Sequence, residues 1–419
     1  MDKQQKCVYC GNFGPFSEEH VFPAGMGGDD KNYTLIDLVC ANCNTKFFSK
    51  LELSLMRRSP TALGRAFMQS RSRERGGRTT KPTIETRNRY VIDKSGRLLE
   101  SEEDNHGVET ILAQCHIEGE KIYYTAQDSP HLQKFYNDLE SLLNKTTINI
   151  IKKNDSTSFE VIVYEWTEDK YEFLKQENLV RPPATGIWID SPSEKTLNFM
   201  PRFFQKLKGQ LVLKTENEES HTALLRSMRR TVPSIRHKLA DAQNNTINNP
   251  LVHVEMVVDM AETERAIAKI GFNFFIHTFG EDAARQVEYD SIKASILTGV
   301  PELPYSSLGE DSKEVISDLF GKPPEKCHCV MLIAAPSGHH TRDIYFYAKL
   351  YGTGVHQVLI SKNSEFGELR DPIYFIINYE TNKIEKLSML EYQLKHGTLI
   401  DSFNVKLGRP TADYLPKAR

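Results

Sequence analysis

The chain has 419 residues, enough for two or three domains, and a formal net charge of −3, which excludes a globally basic nucleic-acid coat. Seven cysteines, an odd number, together with an N-terminus lacking an apolar run, predict reduced thiols in a cytoplasmic protein rather than a disulfide framework. No stretch approaches ~18 consecutive apolar residues, so no membrane partner is expected.

The first 44 residues hold the densest chemistry: Cys7-Val-Tyr-Cys10, then Glu19-His20, then Gly25-Met-Gly-Gly28, then Cys40-Ala-Asn-Cys43-Asn44. Two residues between cysteines let one turn of backbone aim both sulfurs at one point, and a second pair completes the tetrahedron of structural zinc. The 29 residues between Cys10 and Cys40 exceed the usual zinc-ribbon spacing, so something is inserted between the pairs. A set of free thiols is the competing reading, but so short a run has too few apolar residues to fold without a staple. Glu19-His20-Val21 reads as a short strand ended by Pro23, and Gly25, Gly27 and Gly28 as a loop. Thr34 to Val39 reads as a second strand, and the residues after Cys40 as a helix.

These residues resemble the zinc-stapled branch of the HNH nuclease family, whose pattern is Cys-x-x-Cys, a carboxylate–His pair, Gly-Gly, then Cys-x-x-Cys-Asn. The resemblance covers the N-terminal module only. It implies a ββα-metal fold with one Mg²⁺ or other divalent cation, His20 as general base, and Glu19 and Asn44 as oxygen ligands. The chemistry suits that assignment: a cation neutralises charge developing on a phosphodiester, and a neutral imidazole activates water near pH 7. Consecutive strand residues point to opposite sides, which makes Glu18 a second candidate ligand. One departure leaves the ligand set open: the helix offers Lys46 and Glu52 where the family often has a His. A zinc ribbon that only binds would need the cysteines and not His20. A nucleobase deaminase would need His-x-Glu and an open three-ligand zinc site, against the order and ligand count here.

Residues 51–90 carry ten basic residues against three acidic ones. Arg57, Arg58, Arg71, Arg73, Arg75 and Arg78, with Lys46, are the expected phosphate contacts to DNA, because the guanidinium fork fits phosphate. A solvated linker is the alternative. Leu51 to Met68 reads as helical, and Arg71 to Pro82 as an arm.

Residues 91–245 read as an α+β region, with strands at Ile111–Ile117, Ile122–Thr125, Ile148–Ile151, Phe159–Trp166 and Gly209–Leu213. Ser129-Pro130 reads as the N-cap and first turn of a helix, and the strand pattern weakens after Glu168. Residues 246–419 begin with a strand at Leu251–Val258. A helix capped by Asp259-x-x-Glu262 follows, burying Ile267, Ile270, Phe274 and Phe275 and ending at Gly280. A second helix and four strands follow, at His328–Ala335, Ile344–Tyr351, His356–Ser361 and Ile373–Tyr379. Cys327-His328-Cys329 and His339-His340 make a second metal site conceivable, but a strand puts the two cysteines on one face as small apolar groups.

The expected fold class is α+β: an N-terminal ββα-metal (HNH) module (1–56) with a four-cysteine zinc site, then a basic segment (57–90). A larger mixed body with antiparallel sheet follows, in two parts (91–245 and 246–419). The expected function is a metal-dependent endonuclease acting on DNA. The C-terminal part would take a regulatory ligand or partner protein, and chains of this layout often serve phage defence or restriction. The alternative is a nucleic-acid-binding or sensor protein with an inactive module.

Overall fold

The computed structural model describes residues 5–72, 81–104, 108–119, 121–154, 158–191, 199–216, 220–239, 250–308, 319–352 and 354–397. The protein is mixed α+β with largely antiparallel sheets. The hairpin strands are β1 (Phe16–His20) and β2 (Thr34–Cys40). The α-helices are α1 (Ser49–Arg57), α2 (Pro60–Met68), α3 (Ser129–Leu143), α4 (His221–Lys238), α5 (Met260–Ala284), α6 (Asp290–Thr298) and α7 (Met389–His396). No helix among the described residues is long and apolar enough to cross a membrane.

The chain forms two compact units, one of Met1–Glu85 with Met256–Arg419 and the other of Thr86–Glu255. The N-terminal module and the C-terminal part, expected as separate segments, therefore belong to one unit. The strand Leu251–Met256, expected to open the C-terminal part, pairs in the second unit's four-stranded sheet.

The first unit is built around α5. Eleven consecutive residues, Ala266 to Ile276, are buried, so the helix is enclosed on every side rather than lying on a surface. Asp259 caps its start by accepting from the Glu262 N–H at 2.9 Å, and Gly280 breaks it with φ 84°. One side of α5 packs on α1 and β2. The other packs on a six-stranded antiparallel sheet ordered 305–308, 355–364, 342–349, 327–336, 373–378, 383–388. The approach is close: a Cβ on Gly271 would stand 2.5 Å from the Phe346 ring. The four expected strands are present, with edge strands added at Tyr305–Leu308 and Lys383–Ser388.

In the strand Cys327–Pro336, alternation sends His328 and Cys329 to opposite faces. Cys329 packs among Phe320, Met331, Tyr374 and Tyr392. His328 is fully buried on the α5 side. Its Nδ1 accepts from the Tyr351 N–H at 3.2 Å, so its Nε2 carries the proton donated to the Met26 carbonyl at 3.1 Å. That bond anchors the glycine loop, in which Gly27 and Gly28 have no room for a side chain. A Cβ on Gly27 would lie 2.5 Å from the Tyr379 Cα, and one on Gly28 would lie 2.0 Å from the Phe22 carbonyl oxygen.

In the second unit an eight-stranded mixed sheet carries α3 and α4. Its order is 170–179, 159–167, 147–153, 187–190, 211–214, 202–205, 113–118, 121–125. Two details differ from expectation. Asp128, not Ser129, caps α3, accepting from the His131 N–H at 2.9 Å. Lys170–Leu179 is a full strand where the pattern weakened, because an edge strand exposed along most of its length has no apolar alternation to display.

Candidate metal centre

The four motif cysteines converge. Their Sγ atoms all lie within 4.8 Å of one another, with Cys7–Cys43 at 3.9 Å and Cys10–Cys40 at 3.7 Å. Four sulfurs at the Zn–S distance of about 2.3 Å on a tetrahedron stand about 3.8 Å apart, so the thiols are spaced to receive one such ion. Backbone N–H groups already face two of them: Cys40 N–H donates to Cys7 Sγ and Cys43 N–H to Cys40 Sγ, both at 3.4 Å. The hydrogen bond that Cys7 and Cys43 share lowers the Cys7 thiol and raises that of Cys43, so in the metal-free cluster the thiolate is Cys7, and an ion bound there would displace the protons of its partners. Three of the four are buried, and their side chains belong to the same core as Val8, Phe48 and Leu51. The site therefore fits a structural metal ion such as zinc. It is the only group of three or more His, Cys, Asp or Glu ligands among the described residues, so Cys327, Cys329, His339 and His340 form no second one.

The inserted segment is the hairpin. β1 and β2 pair antiparallel from Phe16↔Cys40 to His20↔Thr34, with a bulge between Ser17 and Glu19. The chain then turns through a π-helical stretch, Cys43–Phe48, into α1. Asn44 sits in that stretch, and its amide nitrogen donates to Ser17 Oγ at 3.1 Å and to the Glu18 carbonyl at 2.8 Å. It ties helix to strand at the bulge. His20 closes β1 with its side chain 27% exposed, and its Nε2 lies 3.7 Å from Asp29 Oδ1.

Glu19 points the other way. It is 3% exposed and ion-paired with Lys269, and it accepts from Asn273 Nδ2 at 3.0 Å. Lys269 also reaches Glu52 of α1 at 2.6 Å. Burial alone would lower Lys269, but Glu19 and Glu52 more than offset it, so its pKa is raised and it stays an ammonium. Burial raises Glu19, against the opposing pull of Lys269. The structure thus brings the four cysteines together and does not pair Glu19 with Asn44. A divalent ion that keeps several waters has no place on a carboxylate enclosed in this way and already holding a cation. Glu19 and Asn44 as a shared Mg²⁺ site do not fit, and Glu18 is exposed on the hairpin surface.

The basic residues sort unevenly. Lys46, Arg57 and Arg71 are exposed. Arg58 is committed to Glu85 through a two-pronged pair at 2.7 and 2.9 Å. Arg73, Arg75 and Arg78 lie outside the described residues. Asp29, Tyr9, Lys269 and Asn273 were not singled out from the sequence. The one signal for the last two was a Lys and an Asn four apart inside an otherwise apolar helical run, placing both on one face. Compared with family models, curated proteins and solved structures, the chain matches none.

Proposed function

We propose that the cysteine-stapled hairpin and helix form a nuclease unit of HNH type that hydrolyses DNA phosphodiester bonds. The observation that carries this reading is His20, a partly exposed imidazole at the end of a hairpin whose flanks are stapled by four thiols. The bonds of Asn44 to β1 support it, because they hold the strand that presents His20.

In this reading the His20 imidazole takes a proton from the attacking water, with Asp29 beside its Nε2 to stabilise the imidazolium that forms. Exposed Lys46, Arg57 and Arg71 would hold the backbone without reading sequence.

A second reading has support of its own. The Lys269–Glu19 pair fills the place that the resemblance assigns to a metal ligand, which favours a module that binds nucleic acid without cutting it. One experiment separates the two. Purified protein is incubated with supercoiled plasmid and Mg²⁺ or Mn²⁺, alongside His20→Ala. Nicking by the parent, reduced on the order of 10²–10⁴-fold in the variant, supports the nuclease. Plasmid binding with no nicking under either metal gives the binding module.

A further inference from the structure

We propose that Asn273, some 250 residues from the motif, is the positioning residue that sets His20. This rests on the nuclease reading for its kinetic consequence but not for its geometry. Asn273 is fully buried on α5, and its side-chain amide contacts three parts of the module. Its Nδ2 donates to the His20 carbonyl at 3.1 Å and to Glu19 Oε1 at 3.0 Å. Its Oδ1 accepts from Tyr9 Oη at 2.6 Å, and Tyr9 lies inside the first Cys-x-x-Cys pair. One amide therefore joins the thiol cluster, the buried carboxylate and the backbone of the candidate base.

Each contact has a physical reason. The His20 carbonyl is at the last residue of β1, next to Val21, whose N–H continues the hairpin to the Tyr33 carbonyl at 3.0 Å, and Asn273 supplies its donor from outside the hairpin. A carboxamide is one of the few side chains that can donate twice and accept once from a single flat group. Lys269, one helical turn earlier, neutralises Glu19, which leaves that carboxylate as a fixed acceptor. Tyr9 is buried in the core, so its hydroxyl needs an internal acceptor, and Asn273 supplies one. The candidate site is thus composite: the motif supplies the base, and α5 aims it.

The test uses the full zinc-loaded chain and three variants: Asn273→Ala, Tyr9→Phe, and the exchange Glu19→Gln with Asn273→Asp. The exchange keeps a donor–acceptor pair between positions 19 and 273 but removes the donor to the His20 carbonyl. Zinc content, melting temperature and the His20 imidazole resonance of histidine-labelled protein are read for each, together with plasmid-nicking kcat and KM. Positioning predicts that Asn273→Ala displaces the resonance and lowers kcat about 10- to 100-fold with KM little changed. Tyr9→Phe should do so more weakly. The exchange should recover melting temperature without recovering kcat or the resonance. An unmoved resonance in zinc-loaded Asn273→Ala overturns the proposal, as does full recovery by the exchange. If Asn273→Ala does not fold, Tyr9→Phe decides: a displaced resonance supports positioning and an unmoved one overturns it. If the parent nicks no plasmid, the nuclease reading fails, while the resonance still reports whether Asn273 holds His20.

Discussion

Each unit of this protein buries a lysine completely and gives it two carboxylates. In the first unit Lys269 meets Glu19 and Glu52. In the second, Lys214 meets Glu100 at 3.3 Å and Asp190 at 3.1 Å, with Asn88 and Tyr90 as further acceptors. The partners differ. Glu100 has a second cation in Arg202 at 2.6 Å, so the Lys214 network is redundant, whereas Glu19 has Lys269 alone as its cation among the described residues. They also differ in what they touch. The Lys214 network ties together strands of one unit and adjoins no cluster of candidate ligands among the described residues, while Lys269 pairs with Glu19 on the strand that carries His20. A buried ion pair is therefore no sign of function by itself; what it orients decides.

The largest effect should come from the staple that both readings share. Cys40→Ser should release zinc and unfold the N-terminal module, since apparent binding energies of about 10–16 kcal/mol for structural zinc are folding energy. Both tryptophans, Trp166 and Trp188, belong to the second unit, so their fluorescence should stay native while zinc content falls. Folded, zinc-loaded Cys40→Ser would remove the four-thiol assignment.

The two lysines test the comparison directly. Lys269→Met strands Glu19 without a cation and should cost on the order of 3–5 kcal/mol, read as thiol reactivity of the cysteine cluster in denaturant. Lys214→Met leaves Glu100 with Arg202 and should cost roughly half as much, read by the tryptophans of its own unit. Equal losses would mean that the redundancy of Arg202 counts for nothing.

Local features were legible in the sequence. The Cys-x-x-Cys spacing announced the thiol cluster, β-rich runs gave both hairpin strands, and Asp259-x-x-Glu262 marked the start of α5. What could not be read was long-range. Nothing near Glu19 says whether its carboxylate faces solvent or a lysine some 250 residues away, because strand alternation gives two faces and not their contents. The same limit hid the role of the glycines: Gly27 is needed because the Tyr379 backbone approaches it, a contact that only the fold creates. The exposed edge strand Lys170–Leu179 was missed for the opposite reason, since it packs too little to leave a pattern.

Acid should act on both units through buried neutral histidines. Burial depresses His328 to about 3 and His116 to about 4. Below pH 6.5 the unfolded chain takes up a proton that the folded one refuses, so stability falls as pH drops, by about 1.4 kcal/mol per unit and per histidine. The loss stops growing near each folded value. Between about pH 7 and 5.5, a window set by the ordinary histidine value, hydrogen exchange corrected for intrinsic rate should rise in the strands Cys327–Pro336 and Ala113–Glu118. His328→Gln combined with His356→Gln, since burial also depresses His356 of the same sheet to about 4, should abolish the rise in the first strand alone. A rise that persisted there would assign the acid sensitivity to another group.

The smallest effects separate the arginines, and they refine what being near the motif means. Arg57 and Arg58 are neighbours in sequence with different occupations. Arg57 is exposed at the end of α1, while both prongs of Arg58 are engaged by Glu85. A surface pair of this kind contributes about 0.2–1 kcal/mol, which holds the guanidinium on Glu85 and is a small part of the stability of the unit. If the proposed DNA contact holds, Arg57→Ala and Arg71→Ala should therefore each flatten the log–log salt dependence of binding by about one, the signature of one lost phosphate contact. Arg58→Ala should leave that slope unchanged and lower the melting temperature slightly. Were Arg58→Ala to flatten the slope as much as Arg57→Ala, the Glu85 pair would have to open on binding, and exposure would not separate the proposed contacts from the rest.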